Sequence, residues 1–173
     1  IIGRGGHASK PEKAINPIDA LAVLAIQLQL FEFEKANDMV PTTAAVTYAH
    51  ADGRITNVIP REALARIDVR YNRATRPEDV ISAVKMIVEG QGCTAEIEVV
   101  ENSPYYMNPN REFEECVAAA VRKHCDIDVK FTTEGGSSDA RFFAWNGIPA
   151  LEFGTRRPNM HGDNEAVYIE DVK

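Results

Sequence analysis

The chain has 173 residues, of which 45% are hydrophobic and 26% are charged, the proportions of an ordinary globular protein. Its formal net charge of −7 argues against nucleic acid as the main partner. No apolar run approaches the roughly 18 residues of a membrane span, so we expect neither a membrane partner nor a signal peptide. Three cysteines without zinc-binding or redox spacing indicate a reduced, cytoplasmic setting.

The first predicted helix opens at Asn16 and Pro17. Residues 1–2 are predicted to end a short strand, after which Asn16 supplies an N-cap and Pro17 the first helical residue. Both sides of this helix are apolar, and a sheet can cover only one of them, so we expect a partner subunit to cover the other. The two sides carry Ile18, Leu21, Ala25 and Leu28, and Val23, Ile26, Leu30 and Phe33.

Two strands, a second helix and a last strand follow. Alternation of residue types predicts strands over about 45–50 and 63–71. A capping box at Thr75 and Glu78 is predicted to open the helix, and alternation returns over 95–99. The order β-α-β-β-α-β predicts an α+β domain of the ferredoxin-like type, with both helices on one face of an antiparallel sheet.

A domain boundary is predicted after residue 103, because Pro104 and Pro109 mark a linker. Residues 1–103 then form the ferredoxin-like domain. Residues 104–173 alternate helices and short strands but are too few for a doubly wound domain, so they read as an incomplete α/β segment of a larger domain. The predicted elements are helices over 112–124 and through Phe143, strands over 129–132 and 150–153, and a helical turn over 169–173.

Two histidines lie in loops where their side chains could take part in chemistry. His7 follows a run of glycines, and His161 lies among polar residues. By spacing alone, each is more often a surface histidine than a ligand. His50 and His124 read as structural, at a strand end and at a helix C-terminus.

Residues 135–141 (Gly-Gly-Ser-Ser-Asp-Ala-Arg) read as a turn between a strand and a helix. Such a turn brings backbone N–H groups close to a ligand, and the positive N-terminal end of the helix that follows attracts a carboxylate. Ser138 or Asp139 could equally be a plain N-cap. A serine nucleophile is a weaker alternative, because the Gly-x-Ser-x-Gly pattern is absent.

The order of the motifs carries more information than any one of them. They are Gly-Gly-His-Ala-Ser at 5–9, Asn-Val-Ile-Pro at 57–60, Asp-Val-Arg at 68–70, the turn at 135–141, and His161 with Asn164-Glu165. In this order they resemble the dinuclear-zinc metallopeptidase family of acetylornithine deacetylase, succinyl-diaminopimelate desuccinylase, aminoacylase and related carboxypeptidases. The resemblance spans essentially the whole chain.

The resemblance implies a role for each motif. His7 belongs to a lid domain that dimerises, reaches the partner's active site and stabilises the tetrahedral oxyanion. Asn57 contacts substrate from the lid, Arg70 binds a substrate carboxylate, and His161 is the last zinc ligand. The implied residues of the substrate-binding loop are Gly136, Ser137, Ser138 and Arg141.

The resemblance also implies what this sequence lacks. The family binds two zinc ions with about five ligands and uses a glutamate as general base, and most of these residues lie upstream of residue 1. We therefore expect this chain by itself to be inactive and to hold zinc weakly or not at all. The longer protein is expected to form a homodimer through the lid and to cleave the amide bond of N-acyl amino acids or small peptides.

Two alternatives stay open at this stage. A stand-alone ferredoxin-like module for oligomerisation or regulation would account for residues 1–103 but not for the remaining residues. Arg156 and Arg157 either border the substrate cleft and favour anionic substrates, or they are solvated or paired with Asp163 and Glu165.

Overall fold

The computed structural model describes residues 1–36, 40–108 and 110–172. The predicted linker residue Pro109 and the last residue, Lys173, lie outside the described residues. Where it is described, the chain contains no helix that is long and apolar enough to cross a membrane. Two compact units divide the chain: Ile1–Tyr105 with Thr132–Glu134, and Tyr106–Phe131 with Gly135–Lys173.

The first unit is an α+β structure with two small antiparallel ladders. The long ladder runs from the Thr43–Arg70 pair to the Ala51–Ala63 pair and contains a bulge after Val46. The predicted strands over 45–50 and 63–71 are confirmed. The strands and α-helices described in this unit are β1 (Gly6–His7), α1 (Pro17–Leu30), β2 (Thr43–Ala51), β3 (Val58–Ile59), β4 (Ala63–Arg70) and α2 (Pro77–Glu89), and a 3-10 helix spans Pro11–Lys13.

Helix α1 begins as the sequence predicts. The side-chain oxygen of Asn16 accepts the backbone N–H of Ile18 at 3.1 Å, and Pro17 is the first helical residue. The helix ends at Leu30 and not near Phe33, because the backbone becomes extended at Phe31. Phe33 is nevertheless buried, so it packs in the core from the segment after the helix.

The cap of α2 lies one residue later than predicted. Arg76 is the N-cap, and the carboxylate of Asp79 accepts its backbone N–H at 2.8 Å. This hydrogen bond, followed by the one from the Arg76 side chain, holds the pKa of Asp79 below its ordinary value. The hydroxyl of Thr75 instead donates to the Glu34 carbonyl at 3.2 Å, which removes Thr75 from the cap.

Only one side of α1 is buried. Leu24 and Leu28 are each 1% exposed and pack with residues from α2 and β2 in the core. Ile18, which the sequence pattern groups with Leu21 and Leu28, is exposed, whereas those two leucines are buried. We call the exposed side the outer stripe; it carries Ile18, Ala22, Ile26 and Leu30, and Leu30 is 74% exposed.

A buried polar cluster connects the loop between α1 and β2 with the loop between β4 and α2. Thr42 donates its hydroxyl to that of Thr75 at 2.7 Å and accepts the backbone N–H of Asn72 at 3.1 Å. The Asn72 side chain donates to the carbonyls of Glu34 and Val40 at 3.4 Å. Because all three buried side chains have hydrogen-bond partners, the cluster fixes the loops without leaving unpaired polar groups.

The predicted strand over 95–99 is absent. Ile2 makes single antiparallel bridges to Glu62 and to Thr94, and no ladder continues from Thr94. Val99 and Val100 are exposed. A β-strand requires a continuing row of hydrogen bonds with a neighbour, and alternation of residue types alone does not supply one.

Where it is described, the second unit contains two α-helices, α3 (Arg111–Cys125) and α4 (Ala140–Trp145), and a 3-10 helix, Ile169–Asp171, at the predicted final turn. The predicted helix over 112–124 is confirmed, and its N-cap Asn110 accepts the backbone N–H of Phe113 at 2.9 Å. The predicted strands over 129–132 and 150–153 do not form, because neither segment pairs with another strand among the described residues. None of the residues described in this unit is fully buried.

We expect replacement of Leu24 by alanine to lower the free energy of unfolding by about 2–5 kcal/mol, the usual cost of a cavity at a buried leucine. Leu30→Ala is the matched control, because this leucine of the same helix is largely exposed. Urea unfolding, at a concentration where light scattering reports monomers, measures both variants. Equal losses would contradict the assignment of the buried side.

Candidate functional site

A short antiparallel ladder carries the glycine-rich motif to Asn57. Gly6 pairs with Ile59 and His7 with Val58, and the backbone N–H of Ala8 donates to the Asn57 carbonyl at 2.9 Å. Two residues separated by 50 positions in the chain therefore become neighbours.

The glycines of this segment allow backbones to approach closely. A Cβ at Gly3 would lie 2.2 Å from the carbonyl oxygen of Ile15, which no real side chain could tolerate. A Cβ at Gly5 would lie 3.0 Å from the carbonyl oxygen of Ile59. Gly3 and Gly5 thus let the segment before His7 pack tightly between the backbones of Ile15 and Ile59.

Ser9 selects the tautomer of the neutral His7 ring. The backbone N–H of Ser9 lies 3.1 Å from Nδ1 of His7, and the Ser9 hydroxyl lies 2.8 Å from the same atom. A backbone N–H can only donate, so Nδ1 must be the acceptor. In the neutral ring the proton is then on Nε2, and Nε2 is a hydrogen-bond donor.

The Asn57 side chain places a second donor beside the first. Its Nδ2 atom lies 3.3 Å from Nε2 of His7. With the proton on Nε2, both groups donate, so they do not satisfy each other and can instead serve one shared acceptor. Such a pair suits an oxygen that gains negative charge during a reaction.

Arg70 lies at the end of β4 that is farther from His7. Ile1 lies beside Ala63, Gly3 beside Arg61 and His7 beside Val58, so His7 lies beyond the N-terminal end of β4. Arg70 is the last residue of β4, whose eight residues span about 23 Å. His7 and Arg70 of one chain are therefore not brought together.

The Arg70 guanidinium is paired with Asp68. Nε donates to one carboxylate oxygen at 2.6 Å and one terminal nitrogen donates to the other at 3.1 Å. Both side chains are about half exposed. This bidentate contact uses the side of the guanidinium that contains Nε.

The turn before α4 is open. Gly135 has a φ of 115°, which favours glycine, and a Cβ at Gly136 would meet nothing within 4 Å. Ser137 is exposed. Asp139 is the N-cap residue of α4 but makes no capping hydrogen bond with its side chain, whereas the Ser138 hydroxyl accepts the backbone N–H of Ala140 at 3.1 Å.

Arg141 lies in the first turn of α4. Its guanidinium carbon lies 4.6 Å from the centre of the Phe142 ring, and a terminal nitrogen donates to the Ser138 carbonyl at 3.4 Å. Its Nε atom is buried and has no hydrogen-bond partner among the residues that the structure describes. The contacts with Phe142 and Ser138 thus hold the arginine against its own turn.

His161 lies in a turn with an unusual backbone. It has a φ of 62° and is exposed. Asn159 and Asn164, on either side, also have positive φ values. No group of three or more His, Cys, Asp or Glu side chains suited to a metal occurs among the described residues, so His161 by itself does not fit a zinc site.

Arg156 is engaged by Asp171 and not by Asp163 or Glu165. Its Nε donates to Asp171 at 2.9 Å, its backbone N–H also donates at 2.9 Å, and its guanidinium lies 4.5 Å above the Tyr168 ring. The hydrogen bonds from Arg156 hold the pKa of Asp171 below its ordinary value. Arg156 therefore connects its loop with the 3-10 helix that contains Asp171.

The sequence of the chain matches known proteins along its length. The model of the peptidase dimerisation domain matches residues 1–95. A succinyl-diaminopimelate desuccinylase of Nitratiruptor sp. is 32% identical over 173 residues, which cover 99% of this chain and 47% of the relative. The enzyme of the same description from Erythrobacter litoralis is 33% identical, over 98% of this chain and 44% of the relative. The chain thus spans about half the length of these curated relatives.

Two solved structures share the fold. A tripeptidase from Staphylococcus aureus superposes with a TM-score of 0.73 at 22% identity, covering 99% of this chain and 45% of that one. An aminopeptidase from Bacillus cereus gives a TM-score of 0.68 at 21% identity, covering 99% and 46%. Since the family model matches more than half of the residues, the chain belongs to the peptidase dimerisation domain family.

Proposed function

We propose that this chain is the lid and the C-terminal part of the catalytic domain of a zinc-dependent amidohydrolase that cleaves N-acyl amino acids or small peptides. Residues 1–103 form the lid, and residues 104–173 belong to the catalytic domain. The observations that carry the proposal are the 3.3 Å distance between Nδ2 of Asn57 and Nε2 of His7 and the N–H of Ser9 at Nδ1, from which we infer a pair of N–H donors. The desuccinylases with which the chain aligns over 99% of its length support this reaction class.

The two donors suit amide hydrolysis. Attack on an amide carbon converts the carbonyl oxygen into an oxyanion, and donors already aimed at that oxygen stabilise the intermediate. Nε2 of His7 and Nδ2 of Asn57 lie 3.3 Å apart, so both can donate to one oxygen. Because Ser9 keeps the ring proton on Nε2, His7 donates without first changing its tautomer.

We propose that His7 and Asn57 act in the active site of the partner subunit. Arg70 binds the substrate carboxylate in its own subunit. In one protomer, the length of β4, about 23 Å, separates the two ends at which these residues lie, whereas an N-acyl amino acid is far shorter. A single substrate could then contact His7 and Arg70 only if they came from different subunits.

The dimer would form through α1 and β2. The outer stripe exposes Ile18, Ile26 and Leu30 to solvent. Among the described residues, β2 pairs only with β4, which leaves its other edge without a strand. A contact in which each copy covers the same surface of the other would bury the stripe and pair the edge.

The lid would have the ferredoxin-like strand order. Antiparallel bridges connect Ile2 with Glu62 on one side and with Thr94 on the other. The N-terminal segment at Ile2 thus lies between the segment before β4 and the chain after α2, as the first strand of a ferredoxin-like sheet does. Both helices pack on the same core as β2 and β4.

The substrate would be an N-acyl amino acid with a free carboxylate, including one with a succinyl group. Relatives named for succinyl-diaminopimelate support this class. Gly136 and Ser137 are the most accessible parts of the substrate-binding loop, and we propose smaller roles for Ser138 and Arg141, whose polar groups already contact their own turn.

Zinc would supply Lewis-acid activation of the bond to be cleaved, and His161 would be one ligand. The described residues do not complete a zinc site, so the remaining ligands would come from the part of the longer protein that this chain does not span.

We expect Leu30→Glu to shift a dimer of the chain to monomer, because a buried, unpaired charge at the outer stripe is costly. Met86→Glu is the matched control, since Met86 is an exposed apolar residue of the other helix. Sedimentation equilibrium measures both. A wild-type chain that stays monomeric at high concentration would remove the proposed interface.

We expect His7→Ala in the full-length protein to lower kcat by about 10²–10³, the usual cost of losing one oxyanion donor. His124→Ala, at the end of α3, is the control. Mixed dimers of a His7→Ala chain with a His161→Ala chain should regain activity, because the site of the first chain receives the intact His7 of the second. Steady-state kinetics without such recovery would place His7 outside the partner's site.

We expect the chain alone to bind zinc without a stoichiometric tight site, because catalytic zinc sites use about three protein ligands. Equilibrium dialysis with metal analysis tests this. In the full-length protein, His161→Ala should reduce the zinc content, whereas His124→Ala should not. Tight zinc in the chain alone would show that another set of ligands exists.

A further inference from the structure

We propose that Asp68 is a positioning residue, which holds the Arg70 guanidinium so that its outer edge receives the substrate carboxylate. The inference rests on the proposed function, in which Arg70 binds that carboxylate. It concerns a residue whose own carboxylate carries the same charge as the substrate group and so could not itself bind it.

The hydrogen bonds determine which part of Arg70 is used. A guanidinium has five N–H bonds: one on Nε and two on each terminal nitrogen. Asp68 accepts one from Nε at 2.6 Å and one from a terminal nitrogen at 3.1 Å. Three N–H bonds remain, and two of them point outward in parallel from the two terminal nitrogens. That edge fits a second carboxylate in the bidentate manner.

The strand explains why the pair forms. Residues two apart on a β-strand project from the same face, so Asp68 and Arg70 of β4 are side by side. Their neighbour Arg66 extends in the same direction but lies 5.0 Å from the centre of the Tyr48 ring. Arg70 is therefore the arginine on this face that Asp68 orients.

The pair contributes little to stability, so its effect should be on binding. The Arg70 and Asp68 side chains are 55% and 47% exposed, and exposed ion pairs stabilise proteins only slightly. An arginine side chain, however, has many rotamers, and holding it in one geometry before the substrate arrives reduces the entropic cost of binding. Asp68 would thus improve affinity for a carboxylate and leave the chemical step unchanged.

The test uses the full-length protein with Asp68→Ala and Asp68→Asn. Substrates are a panel of N-acetyl- and N-succinyl-L-amino acids, and the best of them is compared with its α-carboxamide. We expect Asp68→Ala to raise KM for the carboxylate about tenfold, the scale of one charge-assisted hydrogen bond, with kcat unchanged. Asn, which keeps one acceptor oxygen, should give a smaller rise, and the carboxamide should respond to neither change.

Asp52→Asn is the matched control. Asp52 and Arg54 form the same kind of pair two residues apart, at 3.1 Å, in the loop after β2. This variant should leave both KM values unchanged. Arg70→Ala is the second reference, because it should abolish the preference for carboxylate over carboxamide.

The outcomes separate the two ideas. A lower KM for the carboxylate in Asp68→Ala would mean that Asp68 competes with substrate, and equal rises for both substrates would mean a general structural role; either overturns the inference. If Arg70→Ala abolishes the preference but Asp68→Ala has no effect, only the inference fails. A wild-type protein that cleaves no member of the panel contradicts the proposed function and the inference with it.

Discussion

The arrangement depends on the antiparallel pairing of the first seven residues with residues 58–63. This pairing places Nε2 of His7 3.3 Å from the Asn57 amide, and it continues directly into the segment that becomes β4. The same backbone path therefore determines the position of the donor pair at one end and of Arg70 at the other. A shift of one residue in this pairing would turn His7 to the opposite face and separate it from Asn57.

Local features of the fold could be predicted from the sequence, whereas long-range ones could not. The cap at Asn16 depends only on contacts within two residues, so the sequence pattern was sufficient. The sequence pattern predicts the cap of α2 one residue too early, because the Thr75 hydroxyl donates a hydrogen bond to the Glu34 carbonyl, 41 residues away in the chain. The strand over 95–99 failed for the same reason: alternation predicts which residues suit a strand, but not whether a partner continues beyond Thr94.

In the candidate site, too, local contacts could be predicted from the sequence and long-range contacts could not. Each predicted residue came from a motif, but two contacting groups, Ser9 and Asp68, stood inside those motifs without an assigned role. Each lies two positions from the residue that it contacts, so a search for hydrogen-bonding neighbours of His7 and Arg70 could have found them. His7 lies near Asn57 because of the register of the β1–β3 ladder, and the spacing of the motifs in the sequence does not reveal that register. His161 remains a proposed ligand, because its partners do not occur among the described residues.

The glycines decide how far this protein could be altered by directed evolution. Position 3 accepts no side chain, since a Cβ there would lie 2.2 Å from the Ile15 carbonyl oxygen. A library that randomised the segment around His7 would lose nearly all members altered at that position. Gly136 is different: a Cβ there meets nothing within 4 Å, and its φ is not in the left-handed region. Under the proposed function, in which Gly136 belongs to the substrate-binding loop, diversity intended to retune substrate choice belongs there, because the backbone can carry new side chains.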